Sequence, residues 1–156
     1  MKTNILFIIL TACVINAGCS SLSKSKIFES FSLQSIATKS AYKNIDCSKT
    51  DSPFEAEGFA AGRSGTDNMR PGTIRCEVIE SGDNRFSESD LFDSLLGEVE
   101  KEIKGSGGTT TRKSRPGLNN FVVDYEVNGR QGKISISGKR DGSSYDLTSE
   151  IREATK

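Results

Sequence analysis

The chain has 156 residues, carries 21 Lys and Arg against 21 Asp and Glu, and contains neither histidine nor tryptophan. A formal net charge of zero provides no bulk attraction to nucleic acid, so we expect no nucleic-acid partner. Without histidine, catalytic arrangements of the Ser-His-Asp and Cys-His types are impossible. With no imidazole, and with only Cys47 and Cys76 beyond the first 19 residues, too few ligands remain for a typical tetrahedral metal site. We therefore expect no catalytic residues, no metal and no cofactor.

Residues 1–18 have the layout of a secretory signal peptide. Lys2 gives a positive start, an apolar run begins at residue 5, and small residues end at Gly18. The apolar run is too short for a membrane-spanning helix, which needs roughly 20 residues. A small residue directly before Cys19 resembles the lipobox of bacterial lipoproteins. The resemblance implies that Cys19 is acylated and becomes the mature N-terminus, which anchors the protein to a lipid membrane.

Cys13 is the competing acceptor for the lipid. The four residues ending at Cys13 match the lipobox letter by letter, whereas Asn16 stands where the family prefers leucine before Cys19. Cleavage at Cys13 would leave an apolar region shorter than the roughly 7–15 residues that such signals need. It would also leave an odd number of cysteines, which is unusual in an exported protein. Both arguments favour Cys19.

Cys47 and Cys76 then remain as a pair in an exported protein, where oxidising conditions allow disulfides to persist. We predict that they form a disulfide. Such a bond closes a loop of about 30 residues and contributes roughly 3–4 kcal/mol in the chain-entropy model. The alternative is two buried free thiols.

The segment after the signal is expected to be a tether followed by a domain. Residues 19–26 are rich in serine and lysine and predict a flexible, lipid-anchored tether. Residues 27–46 favour a short helix, because their apolar residues fall partly on one helical face. We assign residues 47–156 to a single small domain, with a weak strand at 54–60 and a clearer strand at 73–79.

The clearest helix signal covers residues 87–104. Ser87 is a suitable N-cap, Phe86 and Leu91 have the spacing of a hydrophobic staple, and Gly105 ends the helix. Six apolar residues form one stripe along it: Leu91, Phe92, Leu95, Leu96, Val99 and Ile103. One side of this helix should therefore be buried.

Residues 119–151 predict a three-stranded antiparallel meander with one apolar and one polar face. Its first turn is Asn128-Gly129, the strongest short hairpin signal. A two-residue turn there places Asp124 opposite Lys133, an attractive cross-strand pair. A slip of one residue would bury these charges, so the register is well specified.

We place the second turn of the meander at Asp141-Gly142, which sets Ile136 opposite Leu147 and Gly138 opposite Tyr145. The apolar face of the meander and the apolar stripe of the helix can each be buried by the other. The predicted fold class is therefore α+β. We expect a two-layer ββαβββ domain, in which a small antiparallel sheet packs on one amphipathic helix and one disulfide is formed.

Residues 105–118 connect the helix to the meander and are interpreted as a long loop, a kind of segment that is usually functional or disordered. Two groups of basic residues could contact an anionic partner such as lipid headgroups, lipopolysaccharide phosphate or an acidic protein face. They are Arg112, Lys113 and Arg115 in this loop, and Lys139 and Arg140 at the second hairpin tip. The alternative is that they serve solubility alone.

These features favour a non-catalytic binding or assembly module of the bacterial cell envelope, with a protein partner there. We expect export and anchoring in the outer membrane, facing the periplasm. The alternative is an inhibitor or immunity-type lipoprotein that blocks an envelope enzyme, because Gly142-Ser143-Ser144-Tyr145 resembles a turn of small lysozyme-inhibitor lipoproteins. Those inhibitors are β-barrels, and the helix at 87–104 departs from that pattern.

The choice of Cys19 as the acylation site is tested by labelling cells with a palmitate precursor. We expect Cys19→Ala to abolish the label, because the acyl acceptor is gone, and Cys13→Ala to retain it. Loss of label in Cys13→Ala with full label in Cys19→Ala would contradict the assignment.

Overall fold

The computed structural model describes residues 24–48, 60–61 and 67–154. Cys19 and the signal peptide lie outside these residues, and so does all but the last residue of the weak strand expected at 54–60. Three helices are present in the described part: α1 (Lys26–Ser30), α2 (Leu33–Lys39) and α3 (Glu88–Gly105). The strands are β1 (Ile45–Asp46), β2 (Ala60–Ala61), β3 (Asp67–Val78), β4 (Thr109–Gly117), β5 (Asn120–Val127), β6 (Arg130–Asp141) and β7 (Ser144–Ala154).

The strands form one antiparallel sheet. Six of them run in the order β1-β3-β7-β6-β5-β4, and β2 pairs with β3 only. The long strands β3, β6 and β7 have 11 or 12 residues each and make up its centre. Sheet therefore dominates the described structure, more than the predicted ββαβββ arrangement implied.

The short strand β1 and the longer strand β4 are additional to the prediction, and the prediction of a long loop at 105–118 was wrong. Thr109–Gly117 pairs antiparallel with β5, with irregularities between Thr110 and Arg112 and between Ser114 and Gly117. Three consecutive β-branched threonines start the strand, and they favour extended backbone. The glycines and basic residues on either side of these threonines favour a loop, so the sequence pattern did not indicate a strand. In the fold, the otherwise open edge of β5 supplies the pairing partner.

The first hairpin of the meander is confirmed in type and register. Asn128 and Gly129 have positive φ angles of 52° and 72°, as a type I′ turn requires. Asp124 lies opposite Lys133, and Tyr125 lies opposite Gly132. Local turn chemistry was sufficient to fix this pairing.

The second turn lies one residue later than predicted. Asp141 pairs with Ser144, so the turn residues are Gly142 and Ser143, and Gly138 faces Leu147 instead of Tyr145. Gly142 has a φ of 61°, and a type II′ turn needs such a glycine in its first central position. Every cross-strand partner therefore shifts by two residues. Because side chains alternate with a period of two, the buried face is unchanged.

Helix α3 forms as predicted and covers the apolar face of the sheet. The Ser87 side chain accepts a hydrogen bond from the Asp90 amide at 3.3 Å, which caps the helix. Five residues of the predicted stripe are buried, and Leu96 is half-buried: Leu91, Phe92, Leu95, Val99 and Ile103. The Phe92 ring packs edge-on against Phe121 of β5 and Tyr145 of β7. The helix thus bridges the two sides of the meander.

The segment expected to hold one short helix contains two. The chain leaves the helical conformation at Phe31, and α2 starts again after its own cap, Ser32. Ile27, Phe28, Leu33 and Ile36 are buried in the core cluster. Ser25, which the sequence pattern placed in the tether, is also buried. These residues therefore pack with the sheet and form part of the same core.

The predicted disulfide is confirmed: Cys47 and Cys76 are bonded, with a sequence separation of 29 residues. Cys76 lies on the apolar face of β3, and Cys47 follows β1, which is itself paired to β3. Both cysteines are buried. The bond ties the N-terminal helical segment covalently to the sheet.

The packing of the sheet is tested by substituting Gly132 of β6, with Gly97 of α3 as the matched control. A Cβ at Gly132 would overlap the buried ring of Tyr125, whereas a Cβ at Gly97 in α3 would meet nothing within 4 Å. We expect Gly132→Ala to lower the unfolding free energy by about 1–3 kcal/mol through overpacking. Gly97→Ala should raise it by up to about 1 kcal/mol through helix propensity. Urea unfolding measures both, and equal effects of the two changes would contradict the packing described.

Candidate functional site

The sheet face opposite α3, here called the polar face, carries the alternate side chains of the long strands. The residues that occupy its centre are charged or small and polar: Asp124, Lys133, Ser135, Ser137, Thr148, Glu150 and Arg152. No helix of the described residues covers this face, because α1, α2 and α3 contribute their buried residues to the core cluster.

Four residues in register form a charged row across the polar face. Arg112, Asp124, Lys133 and Arg152 lie opposite one another on β4, β5, β6 and β7. The Lys133 Nζ lies 3.8 Å from the Asp124 Oδ1, and Arg152 pairs with Glu150 two residues earlier on its own strand. These side chains are one-third to one-half exposed, so the pairs stabilise the fold little and remain available to a partner.

The charged row crosses a shallow groove of about 610 Å³. The side chains that line its walls include Val122, Asp124, Lys133, Ser135, Glu150 and Arg152. Gly132 and Tyr125, which lie opposite each other on β6 and β5, also line it. The groove therefore combines both signs of charge with hydroxyl groups and with apolar contacts such as Val122 and Ala154.

A second ion-pair cluster lies nearer the β6–β7 turn on the same face. Arg75 donates two hydrogen bonds to Asp146, at 2.6 and 2.8 Å, and its guanidinium is 3.6 Å from Asp141. The hydrogen bond from Arg75 lowers the pKa of the Asp146 carboxyl, and the charge of Lys139 acts in the same direction. Arg75 thus contacts both acidic residues of this cluster.

The five basic residues singled out from sequence do not form one site. Lys113 and Arg115 turn toward α3: the Lys113 Nζ lies 2.9 Å from Glu100, and Arg115 pairs with Asp93. Arg115 also donates to the carbonyl of Ser89 at 2.9 Å and to that of Leu118 at 3.1 Å. These two residues attach the edge strand β4 to the helix.

The other three basic candidates also lie at different places in the structure. Arg140 donates to both carboxylate oxygens of Glu80, at 3.1 and 3.2 Å, and stacks over the Phe86 ring. Its hydrogen bonds lower the pKa of Glu80. Arg112 and Lys139 lie on the polar face, in the charged row and beside Asp146 respectively. Of the five, Arg112 is the one that the fold places in the charged row, at its β4 end and outside the lining of the groove.

Tyr145, the last residue of the predicted inhibitor-like turn, is buried. Its hydroxyl donates to the Glu88 carboxylate at 2.9 Å, at the first turn of α3. Burial and this hydrogen bond both raise the pKa of the Tyr145 hydroxyl above its ordinary value. Within this turn, Gly142 and Ser143 are the exposed residues.

Sequence reasoning missed a buried carboxylate, Glu153 on β7, which is fully inaccessible to solvent. Its oxygens accept hydrogen bonds from the amide of Ser25, at 2.9 Å, and from the Ser25 hydroxyl. Arg130 lies 3.6 Å away and provides the compensating charge. The strand alternation could have identified it, because residue 153 shares the buried parity of Tyr145 and Ile151. We call this contact the clasp.

In the part of the chain that the structure describes, no helix has the length and apolar character needed to cross a bilayer. The same residues include no group of three or more Cys, Asp or Glu positioned to hold a metal ion. No family model, no curated protein and no solved structure matches this chain.

The assignment of Arg115 to the fold is tested against Arg112. We expect Arg115→Ala to lower the unfolding free energy by about 1–2 kcal/mol, because charged hydrogen bonds to α3 are lost. Arg112→Ala, on the exposed side of the same strand, should change it by less than about 0.5 kcal/mol. Denaturant unfolding measures both; a larger cost for Arg112→Ala would contradict the contacts of β4.

Proposed function

We propose that the protein is a bacterial envelope lipoprotein, acylated at Cys19, whose domain is a non-catalytic binding module for another envelope protein. The observation that carries the proposal is the groove on the polar face, with its charged row and its open shape. We propose further that the protein is exported and anchored in the outer membrane, facing the periplasm.

A protein surface fits the groove better than a polyanion does. Lys133 and Arg152 are accompanied by Asp124 and Glu150, so an anionic polymer or a lipid headgroup would meet carboxylates as well as cations. A protein partner can present both signs of charge, and such complementarity supplies specificity and register. The serine and threonine hydroxyls beside the row add hydrogen-bonding groups that tolerate water at an interface.

The partner is expected to dock on the face and not on the edge of the sheet. The edge strand β4 carries Arg112, Lys113 and Pro116 and has two irregularities. Charges, proline and bulges on an edge strand all hinder pairing with another chain. Strand addition at β4 is therefore disfavoured, and the groove becomes the accessible recognition surface.

We infer that the sheet and α3 are the two layers of an α+β domain. The inference is supported by the one-sided packing of Phe92 and its neighbours on the apolar face. In such an arrangement one sheet face is free for binding because the helix occupies the other. An inhibitor function has less support, since Tyr145 is buried and the exposed tip of that hairpin is Gly142-Ser143.

Site-specific photo-crosslinking on the acylated protein in its own membrane tests this function. A crosslinking residue at Ser135, in the groove, should give one discrete protein adduct, whereas the same residue at Thr38 on α2 should not. Lys133→Glu should abolish the adduct and weaken binding of the purified partner by about tenfold or more, the cost of one lost charge contact. Lys43→Glu is the control, because Lys43 is exposed on the N-terminal segment.

Two outcomes would contradict the proposal. Equal adducts from Ser135 and Thr38 would show that the groove is not the contact surface. An adduct that survives Lys133→Glu, with unchanged affinity for the partner, would show that the charged row does not take part in recognition.

A further inference from the structure

The clasp fixes the point at which the N-terminal segment joins the domain. Ser25 is the N-cap of α1, and both its amide and its hydroxyl donate to the buried Glu153. A buried carboxylate that lost these donors would keep little compensation besides Arg130, so releasing Ser25 is costly. Ser25 is therefore held to the sheet at a position six residues after Cys19 in the sequence.

The clasp lies at one end of the sheet. Glu153 pairs with Gly132 of β6. Gly132 lies two residues after Arg130 and three residues after Gly129 of the first hairpin turn. The C-terminus of α3 reaches the same end, because a Cβ at Gly108 would touch the Val127 side chain. We call this region the anchored end; the Gly142-Ser143 turn lies at the opposite end of β6.

The segment between Cys19 and Ser25 is shorter than the distance between the two ends of the sheet. Six residues from Cys19 to Ser25 span at most about 20 Å when fully extended. The 12 residues of β6 span about 40 Å at the rise of a β-strand. An acyl group on Cys19 therefore keeps the anchored end within reach of the bilayer, and the far turn can be lifted well away from it.

Charge at the anchored end agrees with a membrane surface. Lys26 and Lys104 are exposed, and Lys24 is half-exposed over the Phe28 ring. Glu29 on α1 and Glu126 near the end of β5 are exposed carboxylates in the same region, so three lysines stand against two carboxylates. The net charge of these side chains is positive, which favours anionic lipid headgroups over neutral ones.

We propose that the clasp holds the domain upright on the bilayer: the anchored end contacts anionic phospholipid, and the groove faces sideways above the surface. This inference rests on acylation at Cys19, as in the proposed function. It assigns the clasp a positioning role, since an unclasped N-terminal segment would lengthen the tether and let the domain rotate.

Energy transfer to acceptor-labelled lipids tests the orientation. The full acylated protein is reconstituted in vesicles of phosphatidylethanolamine and phosphatidylglycerol, with a donor dye on Gln131→Cys or on Ser143→Cys. Both positions are exposed and lie at opposite ends of the sheet. We expect transfer from position 131 to exceed transfer from position 143 several-fold. Equal transfer from the two positions would overturn the upright orientation.

A matched pair of cap variants tests the clasp itself. Ser25→Ala removes a helix cap and a hydrogen bond to Glu153, whereas Ser32→Ala removes only the equivalent cap of α2. We expect the difference between the two dye positions to shrink in Ser25→Ala and to persist in Ser32→Ala. A difference that persists unchanged in both variants would overturn the role of the clasp.

Acylation is verified separately by mass spectrometry of the N-terminal peptide. A chain that lacks the lipid and fails to join vesicles would refute the proposed anchoring, whereas an acylated chain with equal transfer from both dyes would refute the orientation alone. Intact folding of Ser25→Ala is checked by its urea unfolding midpoint. If that variant unfolds, Glu153→Gln replaces it, with Glu150→Gln on the exposed side of β7 as its control.

Discussion

The packing of α3 on one face of the sheet determines most of this structure. Phe92 contacts Phe121 and Tyr145 on strands that are not neighbours, so one helix residue holds both sides of the meander. Burial of the whole stripe removes apolar surface from water, which is the main driving force for folding. Because α3 packs on the apolar face, no helix of the described residues covers the polar face, where the groove and the charged row lie.

Charged residues take two different parts in this fold. Some hold elements together: Arg115 attaches β4 to α3, Arg140 pairs with Glu80, and Glu153 holds Ser25. Others, such as Lys133 and Arg152, pair with carboxylates on the polar face, and about half of each basic side chain is exposed. The distinction depends on which side of a strand a residue occupies, and it separates adjacent residues such as Arg112 and Lys113.

Local chemistry made much of the fold predictable. The Asn128-Gly129 turn and the stripe of α3 are local patterns, and they gave the correct hairpin register and helix bounds to within a residue. The predicted second turn was one position too early, because turns at Asp141-Gly142 and at Gly142-Ser143 both keep the same alternation of buried and exposed side chains. Strand β4 failed because its partner is an open sheet edge, which is a feature of the assembled fold. The clasp joins Ser25 and Glu153, which are 128 positions apart. The strand alternation therefore indicates that Glu153 points inward, but it does not indicate which residue it contacts.

The central claim is that the groove on the polar face is the surface through which the anchored protein binds its partner. The most direct measurement is the alkylation rate of Ser135→Cys in the native membrane compared with the purified protein, with Thr38→Cys as reference. The account predicts strong protection of position 135 in the membrane and unchanged reactivity at position 38. Equal reactivity of position 135 in both settings would contradict it.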